Sequence, residues 1–83
     1  MIQEYIERAL AKARYEMIDD EEPYYGEVPE LRGVWATGKS SEEWRAKLAE
    51  VIDGWLLISM SRGLPIPEID GLRLDPARER SVP

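Results

Sequence analysis

The chain has 83 residues, too few for a second hydrophobic core, so one domain is expected. Zero Cys and zero His exclude disulfides, thiolate or imidazole metal sites, and Ser-His or Cys-His nucleophile pairs. The net charge of −6, from 11 Lys and Arg against 17 Asp and Glu, lacks the cationic footprint of a phosphate binder and suits a cationic partner instead.

Apolar residues at 43% and charged residues at 34% are ordinary for a globular chain. The longest apolar run, Trp55-Leu56-Leu57-Ile58, is far short of the about 20 residues that span a bilayer. Glu4 and Glu7 stand where a secretory signal would carry basic residues, so a cytoplasmic location is expected. A domain of this size buries only about 60% of its unfolded surface, and self-association would add stability.

Ile2, Tyr5, Ile6, Ala9, Leu10 and Ala13 form one apolar stripe at helical spacing, with Glu4 and Arg8 set for an i,i+4 pair. From Ala13 the period becomes two. Ala13, Tyr15 and Met17 alternate with Arg14 and Glu16, predicting a strand with one wet face. Asp19-Asp20-Glu21-Glu22-Pro23 then supplies a turn. Tyr24 to Val28 reads as a second strand stopped by Pro29, and Gly33 to Thr37 as a third, with Val34 and Ala36 facing away from Trp35. Short links between the three imply an antiparallel meander.

Ser40 with Glu43 three residues on fits a capping box, opening a helix that runs to about Arg62 and ends at Gly63 ahead of Pro65. Its expected buried stripe is Trp44, Leu48, Val51, Ile52, Trp55 and Ile58 or Ser59. Leu56, Leu57, Ile58 and Met60 carry apolar groups around most of the circumference, so Trp55, Leu56, Leu57 and Ile58 are expected to take part in self-association. Residues 1–72 are taken as the domain and 73–83 as a polar, flexible tail. The class is α+β: a helix, a three-stranded antiparallel meander and a long helix, an order shared with double-stranded RNA-binding and partial RNase H folds.

The run from Tyr25-Gly26-Glu27-Val28-Pro29 through Leu31, Gly33, Val34, Trp35 and Gly38 is similar to the core of HicB-like antitoxin domains. Ser41-Glu42-Glu43 and Gly63-Leu64-Pro65-Ile66-Pro67 resemble that family's next two signatures, in order and spacing. The likeness spans Ala13 to Pro67, about two-thirds of the chain. It implies a non-enzymatic antitoxin that occludes a small basic mRNA-cleaving toxin of the HicA-like kind. Many such antitoxins carry a further DNA-binding domain. About 16 residues follow Pro67, too few for a helix-turn-helix, so direct DNA binding is not expected.

The candidate partner-binding residues are Glu16, Asp19, Asp20, Glu21, Glu22, Glu27 and Glu30. The four-acid run among them reads as a solvated hairpin tip, as a contact for a basic partner, or as an oxygen site for a divalent ion. The bland reading of the three Trp residues is core packing; the sharper one is a partner hot spot.

Three rival chemistries have to be weighed against this. A two-metal nuclease of RNase H-like descent would need Glu16, Glu27 and Glu50 to converge on ions about 3.5–4 Å apart. A double-stranded RNA binder would want lysines where Ser41-Glu42-Glu43 opens the long helix. Ser40 beside Lys39 is explained more simply as a cap than as a nucleophile. No catalytic residue, metal or cofactor is expected, and an orphan structural oligomer without a toxin is the alternative to the antitoxin.

Overall fold

The computed structural model describes residues 2–74. The order is α1 (Ile2–Lys12), β1 (Arg14–Met17), β2 (Tyr24–Glu27), β3 (Trp35–Gly38) and α2 (Ser41–Arg62). The strands form one antiparallel sheet in the order β1-β2-β3, the expected meander. Arg14, Glu27 and Trp35 share one cross-strand row, and Glu16, Tyr25 and Thr37 share another.

α2 is fixed at both ends by its own sequence. The Ser40 hydroxyl accepts the Glu43 N–H, and Gly63 at φ 66° closes a left-handed cap in which the Leu64 N–H bonds Ser59 O at 2.8 Å. The helix lies mainly across β3 and β2 and meets β1 through the ring of Trp44 against that of Tyr15. Trp44, Leu48, Ile52, Leu56 and Ser59 are its buried residues. This corrects the expected stripe: Val51 and Ile58 are exposed, and Trp55 is only half-buried. Each step of four residues overshoots a full turn by about 40°, so the buried line drifts around the helix and away from those positions.

α1 buries Tyr5, Ile6 and Ala9 and packs on α2, with Ile2, Gln3 and Ile6 meeting Ala49, Glu50 and Asp53 around a shallow groove. Val28, Leu31 and Val34, all buried, close the β2–β3 link through the Val28 N–H to Val34 O and the Leu31 N–H to Val28 O.

After α2 the chain folds back along α1. The Tyr5 hydroxyl donates to Pro67 O at 2.5 Å, Arg8 donates to Asp70 O at 2.9 Å, and Lys12 pairs with the Asp70 carboxylate at 2.9 Å. Asp70 and Gly71 both take positive φ, 49° and 79°, and Ile69 and Leu72 exchange backbone hydrogen bonds across them. That is the tight turn an Asp-Gly pair favours. Its result is a clasp that buries Ile69 and Leu74 in the common core. Leu74 was expected in the flexible tail, but the Asp70-Gly71 turn redirects the chain so that its side chain reaches the core. The rest of the expected tail, 75–83, lies outside the described residues. Among the described residues no helix is long and apolar enough to cross a membrane.

Candidate partner-binding face

Strand pleating divides the sheet side chains into two sets. Tyr15, Met17, Tyr24, Gly26, Ala36 and Gly38 fall on the side of α2. Trp44 packs there over Gly26 and Gly38, and its ring lies 5.1 Å from that of Tyr15. Arg14, Glu16, Tyr25, Glu27, Trp35 and Thr37 fall on the opposite side, which no helix among the described residues covers.

This open face has a definite chemistry. Tyr25 and Trp35 sit diagonally across β2 and β3 with ring centroids 5.7 Å apart, and Trp35 keeps 52% of its surface exposed. Glu27 lies directly opposite Trp35, and Glu16 directly opposite Tyr25. A depression of about 290 Å³ is lined by Arg14, Glu16, Tyr25 and Glu27, with Gly26 and Pro29. Among the described residues neither Glu16 nor Glu27 forms an ion pair. Two available carboxylates beside the exposed Trp35 and the partly buried Tyr25 can receive a cationic side chain, stacked on the indole and paired at its head.

The seven acidic residues singled out in the sequence do not form one surface. Glu16 and Glu27 belong to the open face. Asp19, Asp20 and Glu21 are exposed at the β1–β2 turn, where the Asp20 carboxylate accepts the Glu22 N–H at 3.4 Å. Glu30 is exposed on the β2–β3 link, where its charge adds to burial in raising the Tyr5 pKa.

Glu22 has a different role. Its carboxylate accepts from the Thr37 hydroxyl at 2.5 Å and from Lys47 Nζ at 2.9 Å, and Lys47 also lies 3.2 Å from Glu43. The Thr37 hydrogen bond, then that of Lys47, holds the Glu22 carboxyl below its ordinary range. Glu22 is thus an internal tie joining the hairpin to β3 and α2, and it corrects the expectation of a free partner contact. The signal that could have found it is Lys47, one helical turn after Glu43 on the first two turns of α2.

The proposed self-association set divides as well. Leu56 is 1% exposed and belongs to the core, because four consecutive helical positions cover a full turn and one must face inward. Leu57 and Ile58 are exposed, and Trp55 packs partly against the core. Sequence reasoning passed over the apolar side of β1, where Tyr15 is 51% and Met17 59% exposed. The alternation in β1 marks its wet face, but the other one is only half covered, with Trp44 and Tyr24 beside Tyr15.

Glu16, Glu27 and Glu50 do not converge: the first two lie on the open sheet face and Glu50 lines the α1–α2 groove. Among the described residues no cluster of three or more acidic side chains is placed to hold a metal ion.

A family model described as UPF0150-like matches residues 4–67, from the first turn of α1 to the clasp. The chain belongs to the UPF0150-like family. Every element of the fold and all seven acidic positions lie within or overlap that match. Among solved structures, this UPF0150-like chain is similar to TTHA0281 from Thermus thermophilus. The two are 51% identical, with a TM-score of 0.85, over 89% of this chain and 91% of that one. None of the curated proteins compared with it matches.

Proposed function

We propose that this UPF0150-like chain is a non-enzymatic interaction module that neutralises a small basic, mRNA-cleaving toxin of the HicA-like kind by occlusion. The observation that carries the reading is the open sheet face, where an exposed Trp35 and a partly buried Tyr25 stand beside Glu16 and Glu27. The resemblance of the Tyr25–Gly38 and Gly63–Pro67 runs to HicB-like antitoxins supports the same partner class. Aromatic residues flanked by acids suit an RNA-handling surface, which presents Arg and Lys for phosphates. Asp19, Asp20 and Glu21 at the hairpin tip would steer such a partner in the cytoplasm rather than anchor it.

The separation of Glu50 from Glu16 and Glu27 weighs against the two-metal nuclease. The exposed Tyr15, Met17, Leu57 and Ile58 support a self-associating module, with or without a toxin.

The test begins with tagged protein captured from its native lysate, its co-purifying chains identified by mass spectrometry. A stoichiometric small basic protein that cleaves RNA alone and is silenced by this chain supports the reading. Recovery of the chain by itself favours the orphan module. RNA or hybrid cleavage by the chain with magnesium or manganese would replace both readings.

A further inference from the structure

We infer that the β1 strands of two copies pair antiparallel about Tyr15, joining two sheets into one of six strands with Arg14 of each copy facing Glu16 of the other. The inference does not rest on the toxin reading and would hold for an orphan as well, but it draws Glu16 of the open face into the dimer.

The first observation is which backbone groups β1 leaves free. The Ile18 N–H bonds Pro23 O at 2.8 Å, and the Val28 N–H bonds Val34 O at 3.2 Å. In an antiparallel ladder the bonded pairs alternate. Counting back from both bonds, Arg14 and Glu16 turn their N–H and C=O toward β2, whereas Tyr15 and Met17 turn theirs outward. All four residues of β1 are exposed, and its pairing with β2 is continuous, without proline or bulge to protect the edge. The Ala13 N–H is already bound to Leu10 O, so only its carbonyl extends the free row.

The second observation is charge. Two β1 edges can pair only with outward-facing residues opposite one another. Three two-fold centres then bring more than one row of residues 13–17 together. A centre at Arg14 sets two guanidinium groups face to face, and a centre at Glu16 does the same with two carboxylates. A centre at Tyr15 instead places Arg14 opposite Glu16 of the second copy, twice by symmetry. Those rows are non-hydrogen-bonded pairs, in which side chains approach most closely. Tyr15 meets its own counterpart in a bonded row, and the Met17 N–H reaches the Ala13 carbonyl of the second copy.

This alternation of charge is complementary to itself and not to an arbitrary strand, which selects a second copy as the occupant. The same register covers the apolar side of β1. Tyr15 and Met17, both more than half exposed beside Tyr24 and Trp44, would be brought against the equivalent pair of the second copy. Glu16 is then used within the dimer, leaving Glu27, Tyr25 and Trp35 of each copy for a basic partner.

Sedimentation equilibrium of the full chain tests the arrangement with four proteins: wild type, Arg14→Glu, Glu16→Arg and the double exchange. A wild-type dimer is expected. Each single change should weaken it by about tenfold or more, since two attractive rows become repulsive, and the double exchange should restore it. Met17→Pro removes an outward N–H while sparing the β1–β2 ladder, so a folded monomer is expected. Should that variant not fold, the charge exchange decides alone. A monomeric wild type overturns the inference, as does a dimer indifferent to Arg14 and Glu16, or one that Ile58→Asp dissociates and they do not.

Discussion

The indole of Trp44 occupies the space that a side chain at Gly26 would need. A Cβ at position 26 would stand 2.6 Å from the Trp44 ring and 2.3 Å from the Arg14 carbonyl oxygen. The second neighbour is backbone of the paired strand, so neither a rotamer change nor a small tilt of the helix relieves both contacts. Gly26→Ala is expected to cost about 3 kcal/mol and to lower Tm by roughly 15 °C, measured by thermal unfolding. Gly54 is the control. Among the described residues a Cβ there meets nothing within 4 Å, and Gly54→Ala should stabilise the chain by about 1 kcal/mol through helix propensity.

Glu22 makes acid stability a property of one tie. Its folded pKa lies below the ordinary value of 4.5 because the Thr37 hydroxyl and then Lys47 favour the carboxylate. The folded state therefore binds this proton less readily than the unfolded chain does. The stabilisation is full above the ordinary value and is lost as pH falls through the folded one. Urea titrations should find Glu22→Gln less stable than wild type at neutral pH. The gap should close in acid. A gap that stays constant would show that Glu22 acts through packing rather than charge.

The clasp depends on the Tyr5 hydroxyl, which donates to Pro67 O from a fully buried ring. Tyr5→Phe keeps the ring and loses the bond, so about 1 kcal/mol should be lost at neutral pH. Burial, reinforced by the charge of Glu30, pushes the Tyr5 pKa up to about 12 from 10.0. A raised folded pKa means that the native state resists ionisation, so wild type should lose stability as pH rises between those values. Tyr5→Phe should lose less over that interval, and alkaline unfolding curves of the two proteins should converge.

The elements themselves were legible because their signals are local. Ser40, Glu43 and Gly63 mark α2 by chemistry that acts within one turn, and the alternation at Val34, Trp35 and Ala36 sorts inner from outer faces without tertiary knowledge. What escaped was set by distant neighbours. Val51 and Ile58 fit the apolar stripe as well as Leu56 does, and only the placement of the sheet and α1 decides which is buried. Glu22 looks like its three acidic predecessors until Thr37 and Lys47 are brought beside it. The clasp was the avoidable miss, since Asp70-Gly71 is a strong turn signal at short range. Of the candidate site, Glu16 and Glu27 were identified individually, but their common face with Tyr25 and Trp35 follows from strand register, which single residues do not reveal.

Trp35 and Glu27 offer the sharpest separation between holding the fold and holding a partner. They face each other across β2 and β3 on the side away from α2, and Trp35 is half exposed. Trp35→Ala should therefore change unfolding free energy by less than about 1 kcal/mol, far below the about 3–5 kcal/mol typical of a buried aromatic. Its effect on a basic partner should be large and should lie in the dissociation rate, because a desolvated stack is broken only when the complex separates. Glu27→Lys should act earlier, slowing association several-fold in low salt and much less in high salt, since steering is screened. Surface plasmon resonance against the co-purified basic protein reads both rates. If Trp35→Ala binds as wild type does while reversal of Asp19, Asp20 and Glu21 abolishes binding, the partner sits on the hairpin tip and the open face serves another purpose.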